Sequence, residues 1–338
     1  MKSEINLAIC GQGAVTPAGV GVEALLRNEA WPRAEIALLS EPEKKVAAFR
    51  VDLNTEPFLR WQREPRLRRV SPITLFLVEA AAQALAGLSK EELGRTGVVA
   101  AYSTGSIQYS RRFFQGCLEQ GRAFASPALF PETVFNSPTS HLASVFGLSG
   151  ACYSVVGDDS AWVGALRVAD VWLRTGQADY ALVVGAEELD ASALEAYRMA
   201  GWLRRGSRFI PSEGAGVVLL KKDDGSGLPV IVRAEDGFIY RNPKQAAQAA
   251  SACLEKFPSD LPIYPSAKNT WLADIEEKLF QGRCVLEKTF ADCGEAFTAS
   301  AAWHTLRALS LLGKNAPPLI VPCWGLNQQV AALQIGKS

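Results

Sequence analysis

Histidine is scarce in this chain, and several other features common in proteins are missing. Only His141 and His304 occur among its 338 residues, and its seven cysteines form neither a C-x-x-C pair nor a zinc-ligand spacing. Lys and Arg together number 35 and so do Asp and Glu, so the chain carries no basic excess for a nucleic acid. No apolar run is long enough to span a bilayer, and the N-terminus lacks a signal-peptide core. We therefore expect a reduced, cytoplasmic protein without metal, cofactor, nucleic-acid partner or membrane span.

What the sequence does contain is an alternation of strand-like and helix-like segments. Hydrophobic residues make up 48% of the chain, enough for a large core. The run "YSVV", a helical pattern over 160–175 and the run "YALVVGAEE" predict one βαβ unit with parallel strands. The turn-rich stretch 221–229 follows, and the same theme restarts after it. The sequence thus predicts two βα-rich halves, residues 1–224 and 225–338.

Two turns that follow predicted strands invite a functional interpretation. "GQGAVTPAGVG" (11–21) resembles a dinucleotide fingerprint, but Thr16 stands where its third glycine is needed, so we interpret it as a tight turn. "GDDSA" (157–161) lies where a strand turns into a helix, a place that often carries a catalytic group. A carboxylate at a helix N-terminus is favoured in its charged form, and Asp158 and Asp159 are also residues that cap helices. An acid pair for catalysis and a helix cap both remain open for this turn.

Several segments, in the right order, resemble the β-ketoacyl synthases of the thiolase superfamily. They are "ICGQGAVTPAGVGVEALL", the block 130–190, "SRFIPSEGAGVVLL", "SAKNTWLADIEEKLF", "EKTFADCGEAFTASAAWHTL" and "VPCWGLNQQVAALQI". Together they cover nearly the whole chain. The resemblance implies an α/β fold, the thiolase-type duplicated αβαβα five-layered sandwich. The N-terminal half would carry cap insertions.

The catalytic positions of that family are altered here. By resemblance, Asp159 stands at the position of the family's cysteine nucleophile, and Ser266 and Cys293 stand at the positions of its two histidines. Lys288 matches the family's lysine. The resemblance also implies substrate-binding positions in the closing loop and beside the Ser266 motif: Trp324, Gly325, Asn269 and Thr270. Bulky Trp324 suggests a narrowed pocket.

These substitutions set the expected function. One side-chain oxyanion donor is worth on the order of 3 kcal/mol in catalysis, and a thiolate and two donors are missing together. We expect a catalytically silent homologue, a chain-length-factor-like partner of an active ketosynthase in type II fatty acid or polyketide biosynthesis. The resemblance implies a dimer through the strand near "ACYSVV", with a ketosynthase or with itself, and possible contact with acyl carrier protein. Two alternatives remain open: an acyl transferase, decarboxylase or condensing enzyme using Asp159 or Cys293, and a homodimeric acyl-binding scaffold.

Overall fold

A computed structural model describes residues 4–204, 208–267, 270–287, 290–313 and 316–338, with only the backbone of Thr270. The strands are β1 (Glu4–Thr16), β2 (Gly19–Val20), β3 (Arg33–Ala37), β4 (Lys45–Phe49), β5 (Thr96–Tyr102), β6 (Cys152–Val156), β7 (Tyr180–Glu187), β8 (Gly214–Lys222), β9 (Pro229–Ile239), β10 (Leu319–Trp324) and β11 (Gln329–Lys337). The α-helices are α1 (Val22–Leu26), α2 (Glu56–Arg63), α3 (Pro72–Leu85), α4 (Lys90–Gly94), α5 (Ile107–Gln120), α6 (Ser137–Phe146), α7 (Asp159–Thr175), α8 (Ala191–Met199), α9 (Pro243–Leu254), α10 (Thr270–Leu279) and α11 (Thr298–Ser310).

The N-terminal half forms a five-stranded unit of the main sheet. Its strands lie in the order β6-β5-β7-β8-β1. β5 pairs in parallel with β6 and β7, whereas β8 runs antiparallel to both β7 and β1. If the five strands are numbered along the chain, the spatial order is 3-2-4-5-1, with the fifth strand reversed.

The C-terminal half repeats this order in reduced form. β10, β11 and β9 lie side by side, with β11 antiparallel to both neighbours. Ile263 forms parallel bridges to Ile320 on β10 and to Val285, which supplies the second and third strands as single bridges. The order is again 3-2-4-5-1, and β1 and β9 pair antiparallel to join the two units. This repeated topology is that of the duplicated fold the sequence predicts.

Five layers follow from where the helices pack. α7 and α11 lie together between the two sheet units, and the Trp162 indole N–H on α7 donates to Thr305 Oγ1 on α11 at 3.0 Å. α3 covers the outer face of the N-terminal unit, and α9 packs on β9 and β11 with α10 beside it. α11 is buried continuously from Thr298 to Leu309 because strands of both sheet units pack on it, whereas α9 buries residues at helical spacing on one face. The middle layer brings the N-termini of α7 and α11 to the same region.

Two local expectations need correction. "LPIYPSA" contains only the bridge at Ile263, because Pro262 and Pro265 have no N–H to donate to a strand ladder. Gly11 lies within β1, where a side chain would overlap the backbone carbonyl of Ala84, and the turn comes only after Thr16. The division into halves after residue 224 falls between β8 and β9, and we keep it as a proposal.

Candidate functional site

The Asp158-Asp159 pair begins the central helix α7, and its two members do different things. Asp158 is the N-cap: its Oδ1 accepts from the Ser160 backbone N–H at 3.3 Å and from the Ser160 hydroxyl at 2.9 Å. Asp159 is the first helical residue and only 5% exposed. Its buried Oδ2 has no hydrogen-bond partner among the described residues. The capping role that the sequence left open for both acids therefore belongs to Asp158.

The protonation of Asp159 differs from the sequence-based expectation. Burial raises the pKa of the Asp159 carboxyl well above its usual range, and the negative charges of Glu295, Asp158 and Glu187 raise it further. A helix N-terminus favours the charged form by about 1 kcal/mol or less in exposed positions, which is small beside the burial of an unpaired charge. The expected charged carboxylate is thus wrong, and Asp159 is held in its neutral form.

Further buried acids lie at the carboxyl end of β7, beside the residues that follow β5. Glu187 accepts from the Thr104 N–H at 3.1 Å, from the Ser103 N–H, and from the Thr298 hydroxyl of α11 at 3.1 Å. Burial raises the pKa of Glu187 to about 8. Glu188 accepts from the Ser71 hydroxyl, and burial raises its pKa to about 7. The charged groups that raise the pKa of Asp159 within the described ranges, Glu295, Asp158 and Glu187, are therefore all acidic.

Ser266 is held through a buried glutamate of α10. Glu276 Oε1 accepts from the Ser266 N–H at 2.9 Å and from the Trp324 indole N–H at 2.8 Å. The neighbouring Ala267 N–H donates to Glu276 as well. Ser266 is 7% exposed, and no described atom is a hydrogen-bond partner of its Oγ. The buried Trp324 side chain is therefore hydrogen-bonded to the same glutamate oxygen as the Ser266 backbone.

The loop after β10 closes over the N-terminus of α7. The Asn327 N–H donates to Asp158 Oδ2 at 2.8 Å, and the Ser160 hydroxyl lies 2.8 Å from Gln329 Oε1. The Tyr240 hydroxyl donates to the Gly325 carbonyl at 2.5 Å. A side chain on Gly325 would overlap the Asp158 carboxyl group. The loop is thus tied to the helix cap, and glycine is needed for its close approach to Asp158.

Cys293 lies in the turn that precedes α11. It is fully buried, and its thiol lies 3.7 Å from the Gly294 carbonyl. The same turn brings Glu295 close enough to Asp159 to raise its pKa. That the side chains of Asp159, Ser266 and Cys293 face one another stays a prediction. Lys288 and Asn269 lie outside the described residues, and Thr270 is placed only as the first residue of α10.

A cavity of about 680 Å³ lies on the far side of the closing loop. Its described walls include Trp202 and Arg204 after α8, Tyr240 after β9, Trp271 on α10 and Asn327 of the loop. None of the described residues that line it is Asp159, Ser266 or Cys293. Leu326, Asn327 and Gln328 of the closing loop line this cavity, and the Asn327 N–H also donates to Asp158. That Trp324 narrows the pocket stays a prediction.

The two histidines lie apart from the Asp159 turn in sequence and in structure. His141 of α6 lies 2.8 Å from Glu132 through its Nε2, and His304 lies two turns into α11. Among the described residues, no cluster of three or more His, Cys, Asp or Glu side chains is suited to a metal ion. None of the described helices is both long and apolar enough to cross a membrane.

Sequence reasoning missed the acids that determine the site. Glu187, Glu276 and Glu295 were not singled out, although each lies at the end of a strand or on an amphipathic helix beside a family motif. The density of acids in "GAEELD" was a usable signal, because the carboxyl ends of neighbouring parallel strands meet at one sheet edge. Tyr240 gave no signal, because its role depends on a carbonyl 85 residues away.

This fold and site define a class: a thiolase-fold protein in which buried acidic residues with raised carboxyl pKa values occupy the N-terminus of the central helix. The model of the β-ketoacyl synthase N-terminal domain matches residues 6–225, and the chain belongs to that family. β-Ketoacyl-[acyl-carrier-protein] synthase III of Xanthomonas campestris pv. campestris (strain 8004) is 35% identical over 99 residues. That match covers 29% of this chain and 28% of the relative, and the protein from Rhodospirillum centenum, 32% identical over 98 residues, is matched over 28% of its length.

Solved structures share the fold over nearly the whole chain. The ishigamide ketosynthase/chain length factor superposes with a TM-score of 0.80 at 18% identity, covering 98% of this chain and 99% of that one. A ketosynthase (ApeO) in complex with its chain length factor (ApeC) from Xenorhabdus doucetiae gives a TM-score of 0.74 at 15% identity, covering 98% of both. At such identities the likeness establishes the fold alone.

Proposed function

We propose that this chain is a catalytically silent β-ketoacyl synthase homologue that serves as a chain-length-factor-like partner of an active ketosynthase. The proposed pathway class is type II fatty acid or polyketide biosynthesis, in the cytoplasm and with contact to acyl carrier protein. The observation that carries it is Asp159: a buried, neutral carboxyl group at the position that the family resemblance gives to the nucleophile.

The chemistry of Asp159 supports the proposed lack of catalytic activity. A neutral carboxylic acid is a poor nucleophile, and transfer of an acyl group to it would give a reactive anhydride. Ser266 and Cys293, which we propose stand at the two histidine positions, bring no cation to an oxyanion, and each missing donor is worth about 3 kcal/mol. Trp324 and Gly325 in the closing loop support a restricted route to this turn, and we keep Asn269 and Thr270 as proposed contacts with a substrate arm.

An exposed apolar surface around β6 supports the partner role. Among the described strands, β6 pairs with β5 alone, and none pairs with its other edge. On this strand Tyr153 is 53% exposed and Val156 is 55% exposed. Nearby segments add further exposed apolar side chains: Phe114, Leu118, Phe124, Phe130, Val134 and Phe135. An open edge strand with apolar neighbours is costly in water, and pairing with a second β6-like strand would cover both.

We propose that a ketosynthase subunit covers this surface. A chain without catalytic activity can contribute an interface and the shape of a substrate pocket only when it is bound to an active subunit. A second copy of this chain, the homodimeric acyl-binding scaffold, is the competing outcome. A two-fold axis through β6 would place the same strand of each subunit antiparallel to the other.

Co-expression of the chain with ketosynthases of its own genome tests the proposal. We expect a stable heterodimer that co-purifies, and loss of that complex in Tyr153→Lys/Val156→Lys. Ile239→Lys is the matched control, because Ile239 is an exposed apolar residue, 68% accessible, on β9 of the other half. Purification of a homodimer to which none of the ketosynthases binds would contradict the proposed partner role. An acyl adduct in the intact mass after incubation with acyl and malonyl carrier protein, lost in Asp159→Asn or Cys293→Ser, would establish the enzymatic alternative.

A further inference from the structure

A second, smaller cavity lies away from the closing loop, beside α11. Its volume is about 220 Å³. Helix α11 contributes His304 and Arg307 to its walls. Tyr264, Pro265 and Ala267 follow the bridge at Ile263, and Phe290, Ala291 and Asp292 follow the bridge at Val285. Arg208 lies at the exposed rim. Arg307 lies nine residues after the start of α11, about 14 Å along the helix axis at 1.5 Å per residue. This cavity is therefore separate from the acid cluster at the N-termini of α7 and α11.

Arg307 is the unusual member of this cavity. It is only 1% exposed, and its Nε and Nη2 donate to the Leu25 carbonyl at 3.2 and 3.1 Å. Its guanidinium carbon lies 5.3 Å from the centre of the Phe290 ring and 5.8 Å from that of Trp31. The charge of Arg307 also opposes the rise that burial causes in the pKa of the Tyr264 hydroxyl. The guanidinium is thus held in one orientation by two rings and by the Leu25 carbonyl.

What this arrangement lacks is a negative charge on the guanidinium. Within the described ranges, no carboxylate forms an ion pair with Arg307, although fifteen other ion pairs are present there. Arginine stays charged in proteins, and a buried charge is normally paired with an opposite one because its desolvation is costly. The Leu25 carbonyl accepts from two of its donors but does not neutralise the charge.

The other described walls of the cavity supply no ion pair for the charge of Arg307. Asp292 is the one acid among its described walls, and Asp292 Oδ1 accepts from the Gly294 N–H at 3.0 Å in its own turn. Arg208 adds a second cation at the rim. The described walls thus carry two arginines and one aspartate, and the planar guanidinium fork of Arg307 matches two oxygens of one oxyanion.

We propose that this cavity is a binding site for a small oxyanion of phosphate or carboxylate chemistry, held by Arg307 and steered by Arg208. The bound oxyanion neutralises the buried guanidinium and ties α11 to the segments that carry Tyr264 and Phe290. The inference is independent of the proposed partner role, because it uses none of the residues of the β6 surface or of the Asp159 turn.

Calorimetric titration of the full chain with inorganic phosphate, and separately with acetate, tests the site, with sodium chloride as the control for ionic strength. We expect saturable binding of at least one of the two, at one site per chain. Loss of a charge-assisted pair costs about 1.5–3 kcal/mol, so Arg307→Lys should weaken binding about tenfold or more. Arg208→Gln should also weaken it. Arg68→Gln, the same charge change at an exposed position far along the chain, should leave it unchanged.

Each outcome decides the matter. Phosphate binding without acetate binding assigns the site to phosphate chemistry, and the reverse assigns it to carboxylates. Heat signals no larger than those of sodium chloride, or variants at Arg307 and Arg208 that bind as well as the parent chain, overturn the proposal. Circular dichroism checks the fold of Arg307→Lys, and Arg208→Gln alone carries the test if that variant fails to fold. Neither result bears on co-purification with a ketosynthase.

Discussion

The neutral state of Asp159 predicts that its replacement by asparagine stabilises the protein at high pH. The folded-state pKa of Asp159 lies above its ordinary value of 3.8. Between those two values the folded chain holds a proton that the unfolded chain has lost, so this carboxyl lowers the stability as the pH rises through that window. Asparagine has nearly the same shape and cannot ionise. The stability of Asp159→Asn relative to the parent should therefore rise from pH 4 upward.

The magnitude follows from the difference between the folded-state and unfolded-state pKa of Asp159. Asparagine keeps a polar group at the same buried position, so the gain comes from the proton alone, and each unit by which the pKa is raised is worth about 1.4 kcal/mol. We expect Asp159→Asn to gain about 1–3 kcal/mol at pH 8 and close to nothing at pH 4.5. Urea unfolding at about pH 4.5, 6, 7 and 8 measures this difference in stability, because that range spans ordinary and raised carboxyl pKa values.

Asp179 supplies the matched control for this experiment. It is an exposed aspartate whose pKa is lowered by its hydrogen bonds to Arg95. A lowered folded-state pKa contributes stability above the ordinary pKa and loses it as the pH falls, so Asp179→Asn should destabilise slightly at pH 8 and not at low pH. The reasoning about Asp159 is refuted if the stability of Asp159→Asn relative to the parent chain does not rise between about pH 4.5 and pH 8 in the assay above, since that result would mean a carboxyl group whose pKa is not raised on folding.

Three further changes probe the same turn and loop. Gly325→Ala should cost about 1–3 kcal/mol in urea unfolding, because its Cβ overlaps the Asp158 carboxyl group, whereas Gly116→Ala in exposed α5 should be neutral or stabilising by up to about 1 kcal/mol; equal effects would contradict the close approach. Asp158→Ala should cost about 1–2 kcal/mol and speed proteolysis within the closing loop, and unchanged cleavage would mean that the cap does not hold the loop. A thiol introduced by Asp159→Cys should react with iodoacetamide more slowly than Cys152, because burial and neighbouring acids disfavour the thiolate; rapid alkylation would show that the position still activates a nucleophile.

Several residues of the site were within reach of sequence reasoning, and others were not. The order of the family segments located Asp159 at the start of α7 because a strand, a turn and a periodic helix are local patterns. It also located Ser266 and Cys293 in turns. The division of labour between Asp158 and Asp159 was beyond it, because both are good capping residues. Which one caps depends on Asn327 and Gln329, far along the chain.

The protonation of the acids shows the same limit. From the sequence, a helix N-terminus favoured a charged Asp159, since that effect is local. Burial by the closing loop and the charges of Glu187 and Glu295 reverse it, and those residues come from β7 and from the turn before α11. Short local patterns cannot report a desolvation that depends on elements more than a hundred residues apart.

By itself, the sequence predicted the alternation of strands and helices and, through the family resemblance, the duplicated α/β fold, while the replacement of the family's catalytic residue types stays a prediction. Periodicity and ordered motifs encode these because each is a property of contiguous residues. Only the tertiary structure decided which acid caps α7, why Asp159 is neutral, how Glu276 links Ser266 to Trp324, and that Arg307 is a buried cation without a carboxylate within the described ranges. These features arise where the N-termini and faces of α7, α10 and α11 meet residues distant in sequence, so packing sets their electrostatics.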